Sequence, residues 1–177
     1  MVRSCWLVAG VAPFDELDQL WTDHFINARE LRVEHLDRPT SLGLLTKPSP
    51  RFPDDMLPEP VAAAVFDRTG GQPMLLQLYG SLLVERLNQQ DRRHAEPADI
   101  EPVELDVLQQ AGGYFRDTLN KSPDHVRTAL EGLAFARPGE LERRTQRWLR
   151  RRCLVTDDNH QLAIPVLGRW IRECWEG

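Results

Sequence analysis

A run of leucines at helical spacing sets the centre of this chain. Leu75, Leu78, Tyr79, Leu82 and Leu83 stand at i, i+3, i+4, i+7 and i+8, the spacing that lines one face of a helix. Leu76, Val84 and Leu87 widen that face, so the pattern predicts a helix over 73–89 buried on most sides. Its start is punctuated. Thr69-Gly70-Gly71 precedes it and Pro73 opens it. Glycine fits the left-handed position past the end of one helix, and proline fits the first turn of the next, where no N–H is required. A preceding helix over 60–68, with Val61, Ala64 and Val65 on one face, therefore stops at Thr69-Gly70-Gly71.

The same signals divide the rest of the chain. Asp37 is placed to cap a helix through Leu45, with Pro39 in its first turn. Five prolines between 48 and 60 predict an extended connection. After the polar stretch Gln90 to Ala98, Asp99 reads as the cap of a helix reaching Asn120, bent at Gly112-Gly113. Ser122 and Pro123 read as cap and first residue of another helix, with Val126, Ala129, Leu130, Leu133 and Ala134 as its core stripe. Arg137-Pro138-Gly139 is a turn. An arginine-rich helix follows, anchored by Leu141, Trp148 and Leu149. Leu154-Val155 and Leu162-Ala163-Ile164 flank the polar loop Thr156 to Gln161, a hairpin signal, and a helix over 166–175 closes the chain. Helix, turn, basic helix, hairpin, helix is the plan of a winged helix-turn-helix.

The N-terminal segment has a different character. Residues 5–10, Cys-Trp-Leu-Val-Ala-Gly, form an apolar run that reads as a strand buried on both faces. Leu31 to Leu36 is a second candidate strand. Two strands do not make a stable sheet, so the first is expected to pair with another protein chain or a second copy, or the chain is a piece of something longer.

Composition excludes several classes. No stretch approaches the roughly 18 apolar residues of a membrane span, and Cys5 to Val11 is too short for a signal peptide. Three widely spaced cysteines, Cys5, Cys153 and Cys174, read as buried thiols in a reducing, cytoplasmic compartment. Seven arginines and two glutamates between 137 and 152 give a local charge of +5 within a chain of net charge -5, which leaves -10 elsewhere and confines any nucleic-acid argument to that segment. A phosphate-cradling G-x-x-x-x-G-K-[ST] is absent. Asp54-Asp55 and Asp157-Asp158 read as loop residues. His24, His35, His94, His125 and His160 are scattered without metal-ligand spacing. No nucleophile motif stands out. The expectation is a non-catalytic chain with no metal site.

At Phe66-Asp67-Arg68-Thr69-Gly70-Gly71-Gln72-Pro73-Met74-Leu75-Leu76-Gln77 the sequence resembles the lid of signal-transducing ATPases with numerous domains (STAND) and of related archaeal-type ATPases in the AAA+ group. There a helix ends in T-G-G-x-P before a long apolar helix. The resemblance implies that Gly71, Gln72 and Pro73 lie beside the adenine and ribose of a nucleotide. It extends to CWLVAGVAP as a sensor strand, LRVEHLD as the last core strand, and LRRRCLVTDDNHQLAIPVLGRWIRE as the winged-helix ending. It departs from the family in lacking the phosphate-binding half and a polar residue after the sensor strand. The implied fold is mainly α: the trailing edge of an α/β core (1–36), a helical lid (37–120) and a winged helix (121–177). The implied role is regulatory, with ATP or ADP held only together with a P-loop core. Two rival readings remain. One is a DNA-binding regulator contacting nucleic acid through Arg143, Arg147 and Arg150, which the acidic remainder disfavours. The other is an adaptor pairing through exposed strand edges.

Overall fold

The computed structural model describes residues 31, 33–137, 139–158 and 160–176. The chain divides into two units, Met1–Val33 and Glu34–Gly177, and the helices of the described residues belong to the second. The sensor-like strand over 5–10 lies outside the described residues.

The described residues form eight helices: α1 (Arg38–Thr46), α2 (Glu59–Thr69), α3 (Pro73–Gln89), α4 (Ile100–Gln110), α5 (Gly112–Asn120), α6 (Asp124–Ala134), α7 (Arg143–Arg151) and α8 (Pro165–Cys174). The architecture is mainly helical. Helix α3 packs on α1, α2 and α4, while α6 packs on α7 and α8. Helix α8 also touches α2, α4 and α5, so the last helix shares its core with the middle of the chain. Tyr79, Phe115 and Trp170 are among the largest fully buried side chains. Phe115 and Trp170 belong to a ring series running Tyr114, Phe115, Trp170, Trp175, with successive centroids 5.5, 5.7 and 5.8 Å apart.

Local chemistry explains the helix ends. Asp37 accepts from the Thr40 N–H at 2.9 Å and starts α1, with Pro39 in its first turn. Gly70 ends α2 at φ 57°, and Pro73 opens α3. Between α1 and α2 the proline-rich connection forms no helix. Ser122 does not cap α6. Its hydroxyl donates to the Thr118 carbonyl at 2.7 Å, a back-bond to the preceding helix, and α6 starts after Pro123. The bend expected at Gly112-Gly113 is a break at Ala111 between α4 and α5.

Four expectations change. Helix α3 is amphipathic rather than buried on most sides: Leu75, Leu76, Tyr79, Leu82, Leu83 and Leu87 are buried, whereas Gln77, Ser81, Glu85 and Asn88 are exposed. Residues 31 and 33–36 form no strand among the described residues; instead the Leu36 N–H donates to the Gly71 carbonyl at 2.9 Å. The hairpin shrinks to one antiparallel bridge between Val155 and Leu162, flanked by Thr156 N–H to Gln161 O and Ala163 N–H to Leu154 O, both 3.0 Å. Its loop spends hydrogen bonds locally, since Asp158 accepts from the Thr156 hydroxyl and the His160 N–H, and such bonds compete with ladder pairing. Cys153 is half-buried and Cys174 exposed, so neither is a fully buried thiol.

Candidate functional site

The Thr69–Pro73 turn is where three main-chain segments meet. Gly70 and Gly71 both hold positive φ, 57° and 78°, a region that side chains with a Cβ disfavour. Close approach is the second constraint. A Cβ on Gly71 would lie 2.0 Å from the Leu36 carbonyl oxygen, and one on Gly70 would lie 1.7 Å from the Ala163 carbonyl oxygen. The pair is therefore pressed between the 34–37 segment and the Leu162–Ile164 segment. Thr69 is buried, its hydroxyl donating to the Val65 carbonyl at 2.9 Å. His35 hydrogen-bonds the Gly70 main chain, and burial holds its imidazole below the ordinary histidine value despite that bond.

Gln72 is the N-cap of α3, its side chain accepting from the Leu75 N–H at 2.7 Å. Cap positions favour Ser, Thr, Asp or Asn, and glutamine serves here while also hydrogen-bonding Tyr114. Burial pushes the Tyr114 phenol above its ordinary value, against that bond. Of the three residues singled out by the sequence, Gly71 is buried, Gln72 half-buried and Pro73 exposed. Met74 and Tyr114 add exposed apolar surface nearby in the chain's helices α3 and α5.

Behind the turn lies a polar cluster that sequence reasoning did not find. Glu104 of α4, with a side chain 7% exposed, accepts from Arg68 Nε, from Tyr79 Oη at 3.0 Å and from Arg169 Nη1 at 2.9 Å. Arg169 also pairs with Glu101 at 2.8 Å and Glu173 at 2.9 Å. These bonds hold the Arg169 guanidinium above its ordinary value and the Glu101 carboxyl below its own. Burial and the Glu104 charge push the Tyr79 phenol well up, so it stays a donor. Arg68 immediately precedes Thr69, and the cluster thus ties the end of α2 to α3, α4 and α8. Its partners stand 36 and 65 residues apart, too far for any local motif.

The second site expected from the sequence is α7. Arg143, Arg147 and Arg150 stand at i, i+4 and i+7, and all three are exposed. The buried residues of α7 are Thr145 and Leu149, while Trp148 is only partly buried and carries the Arg152 guanidinium 3.8 Å above its ring centroid. Arg144 faces solvent and pairs with Glu142 at 2.9 Å, and Arg150 donates to the Asp157 main-chain oxygen. Thr145, not one of the anchors expected from the sequence, takes a buried position on this helix.

Elsewhere, an open apolar cavity of about 870 Å³ runs along α3 beside Leu44, Phe52, Leu57 and Val84. Among the described residues no group of His, Cys, Asp or Glu is placed to hold a metal ion, and no helix is long and apolar enough to cross a membrane. Comparison with protein families, with curated proteins and with solved structures gives no match.

Proposed function

We propose that this chain is the regulatory, nucleotide-sensing C-terminal part of a STAND-type AAA+ ATPase, without catalysis of its own. Residues 37–120 act as the lid and 121–177 as a winged helix, with α6 and α7 as its helix pair and the Val155–Leu162 bridge as a reduced wing. The observation that carries the reading is the construction of the Thr69–Pro73 turn. It opens helix α3 with Pro73 exposed, and close main-chain approaches join it to both the entering segment and the C-terminal pair. A nucleotide held by a P-loop core against Pro73 and Gln72 would act where both halves converge. Gly71 contributes shape rather than surface, because Leu36 covers it. A ligand shifts such an arrangement only if it contacts its open and closed forms differently.

The test begins upstream. The transcript is sequenced 5′ of Met1, proteins bound stoichiometrically to the native chain are identified, and mant-ADP is titrated into the assembled protein. The expected result is a G-x-x-x-x-G-K-[ST] sequence in the same reading frame or in a bound partner. Binding should then weaken about tenfold, equivalent to ~1.4 kcal/mol, on Pro73→Glu. Residues 1–177 alone should hydrolyse ATP no faster than a blank. Hydrolysis by the purified chain that survives repurification, or a missing P-loop in both places, overturns the reading.

A further inference from the structure

We propose that the Gly70–Gly71 turn is a mechanical joint that couples the 34–37 segment to the Leu154–Ala163 pair, so that displacing either one displaces the other. The two segments reach the turn from opposite ends of the unit in sequence. Leu36 is bound to it by an N–H···O bond to the Gly71 carbonyl at 2.9 Å. Ala163 seats its carbonyl where a Gly70 side chain would otherwise stand, and its own N–H bonds to Leu154 at 3.0 Å. No side chain is interposed at either contact. A side chain can absorb a shift by changing rotamer, whereas main chain pressed on main chain cannot, and close-packed interiors transmit such displacement.

The turn is also braced against yielding. The Thr69 hydroxyl is tied back to Val65, and Arg68 is held by Glu104, which in turn holds Arg169 of α8. On the other side, the Ser41 hydroxyl donates to the Leu36 carbonyl at 3.3 Å, which fixes the oxygen that faces Gly71. A push on residue 36 therefore meets a turn that moves as one piece with its surroundings or not at all. The joint concerns three main-chain segments of one chain and holds whether or not a nucleotide binds, so its failure and that of the functional reading are separate results.

Coupling between two sites must be reciprocal, which gives the experiment two directions. Amide hydrogen exchange is followed in the intact chain. His35→Ala removes the ring bonded to Gly70 and loosens the first segment. The Leu36 and Ala163 amides are both expected to exchange faster, by about tenfold, the measure of a local opening made easier. Leu162→Ala loosens the second segment, and the Leu36 amide should respond in turn. Gly71→Ala, which collides with the Leu36 carbonyl, should give the largest paired change. If Gly71→Ala does not fold, the other two variants carry the test unaided. Faster exchange confined to the mutated segment in both directions, with the distant amide unchanged, overturns the proposal.

Discussion

The arginines of α2 and α8 and those of α7 are the same side chain put to opposite uses. Arg68 and Arg169 converge on a buried carboxylate and join four helices through it. Arg86 and Arg92 converge in turn on buried Asp99, 3.1 and 2.8 Å away, and brace the connection between α3 and α4. Along α7, by contrast, Arg143, Arg144, Arg147 and Arg150 lie on the surface, and the pair Arg144–Glu142 has both side chains about two-thirds exposed. Density of charge in the sequence thus ran opposite to its structural weight. Arginines that stand apart in sequence hold the fold, because a planar guanidinium with several donors can bridge carboxylates from different helices. The exposed arginines of α7 that carry such bonds reach only nearby groups, Arg144 to Glu142 and Arg150 to the Asp157 main chain.

The sharpest way to break that contrast is Glu104→Gln. Removing one member of a buried ion cluster leaves the other charges uncompensated, at a usual cost of about 3–5 kcal/mol. Arg68 and Arg169 keep some contact with water, so a loss of about 3 kcal/mol in urea unfolding is expected. A change under about 1 kcal/mol would reduce the cluster to the weight of a surface pair.

Acid should expose the second buried carboxylate. Burial pushes the Asp99 carboxyl up, but hydrogen bonds from Arg92, the Glu96 N–H and Arg86 outweigh it and hold the group below its ordinary value. The native state therefore binds this proton more weakly than the unfolded chain. The stabilisation is present above the unfolded value near 3.9 and fades as pH falls below it. Asp99→Asn should lower stability at pH 7 by about 1–3 kcal/mol and flatten the profile below about pH 4. An unchanged acid limb would remove Asp99 from the account.

Smaller effects belong to α7. Arg144→Ala should change stability by less than about 0.5 kcal/mol, as exposed pairs do. Replacing Arg143, Arg147 and Arg150 by serine tests the DNA reading. The acidic remainder of the chain opposes a polyanion, so the unaltered protein should bind duplex DNA no better than the nonspecific range of about 10⁻⁴–10⁻⁶ M. The triple variant should lose what little there is. A sequence-specific complex tighter than about 10⁻⁸ M at physiological salt would promote α7 from solvated face to recognition helix.

Signals carried by neighbouring residues were legible before the fold was. Asp37, Pro39, Gly70 and Pro73 mark helix ends through chemistry that acts within four residues, and the structure places those ends there. The leucine stripe of α3 was equally plain. Long-range facts were not. Glu104 sits between Val103 and Leu105 and reads as an ordinary polar position until α2 and α8 close over it. Thr145 carries no sign that it, rather than Trp148, is a buried anchor of α7. The turn itself could be located from sequence, but the reason for two glycines could not, since Leu36 and Ala163 arrive from distant parts of the chain.

That last contact divides the letters of T-G-G-x-P into positions where a side chain has no room and positions where it has. A library randomised over positions 69–73 and screened only for folding should return glycine at 70 and 71 almost without exception, because backbone oxygens already occupy the space a side chain needs. At 72 it should drift toward serine or aspartate, the better helix caps, since Gln72 does that work with a longer side chain. At exposed Pro73 it should accept other first-turn residues. The fold thus fixes the two glycines by lack of space, while Gln72 and Pro73, which cap and open α3, are the positions at which the proposed nucleotide contact can be altered without rebuilding the turn.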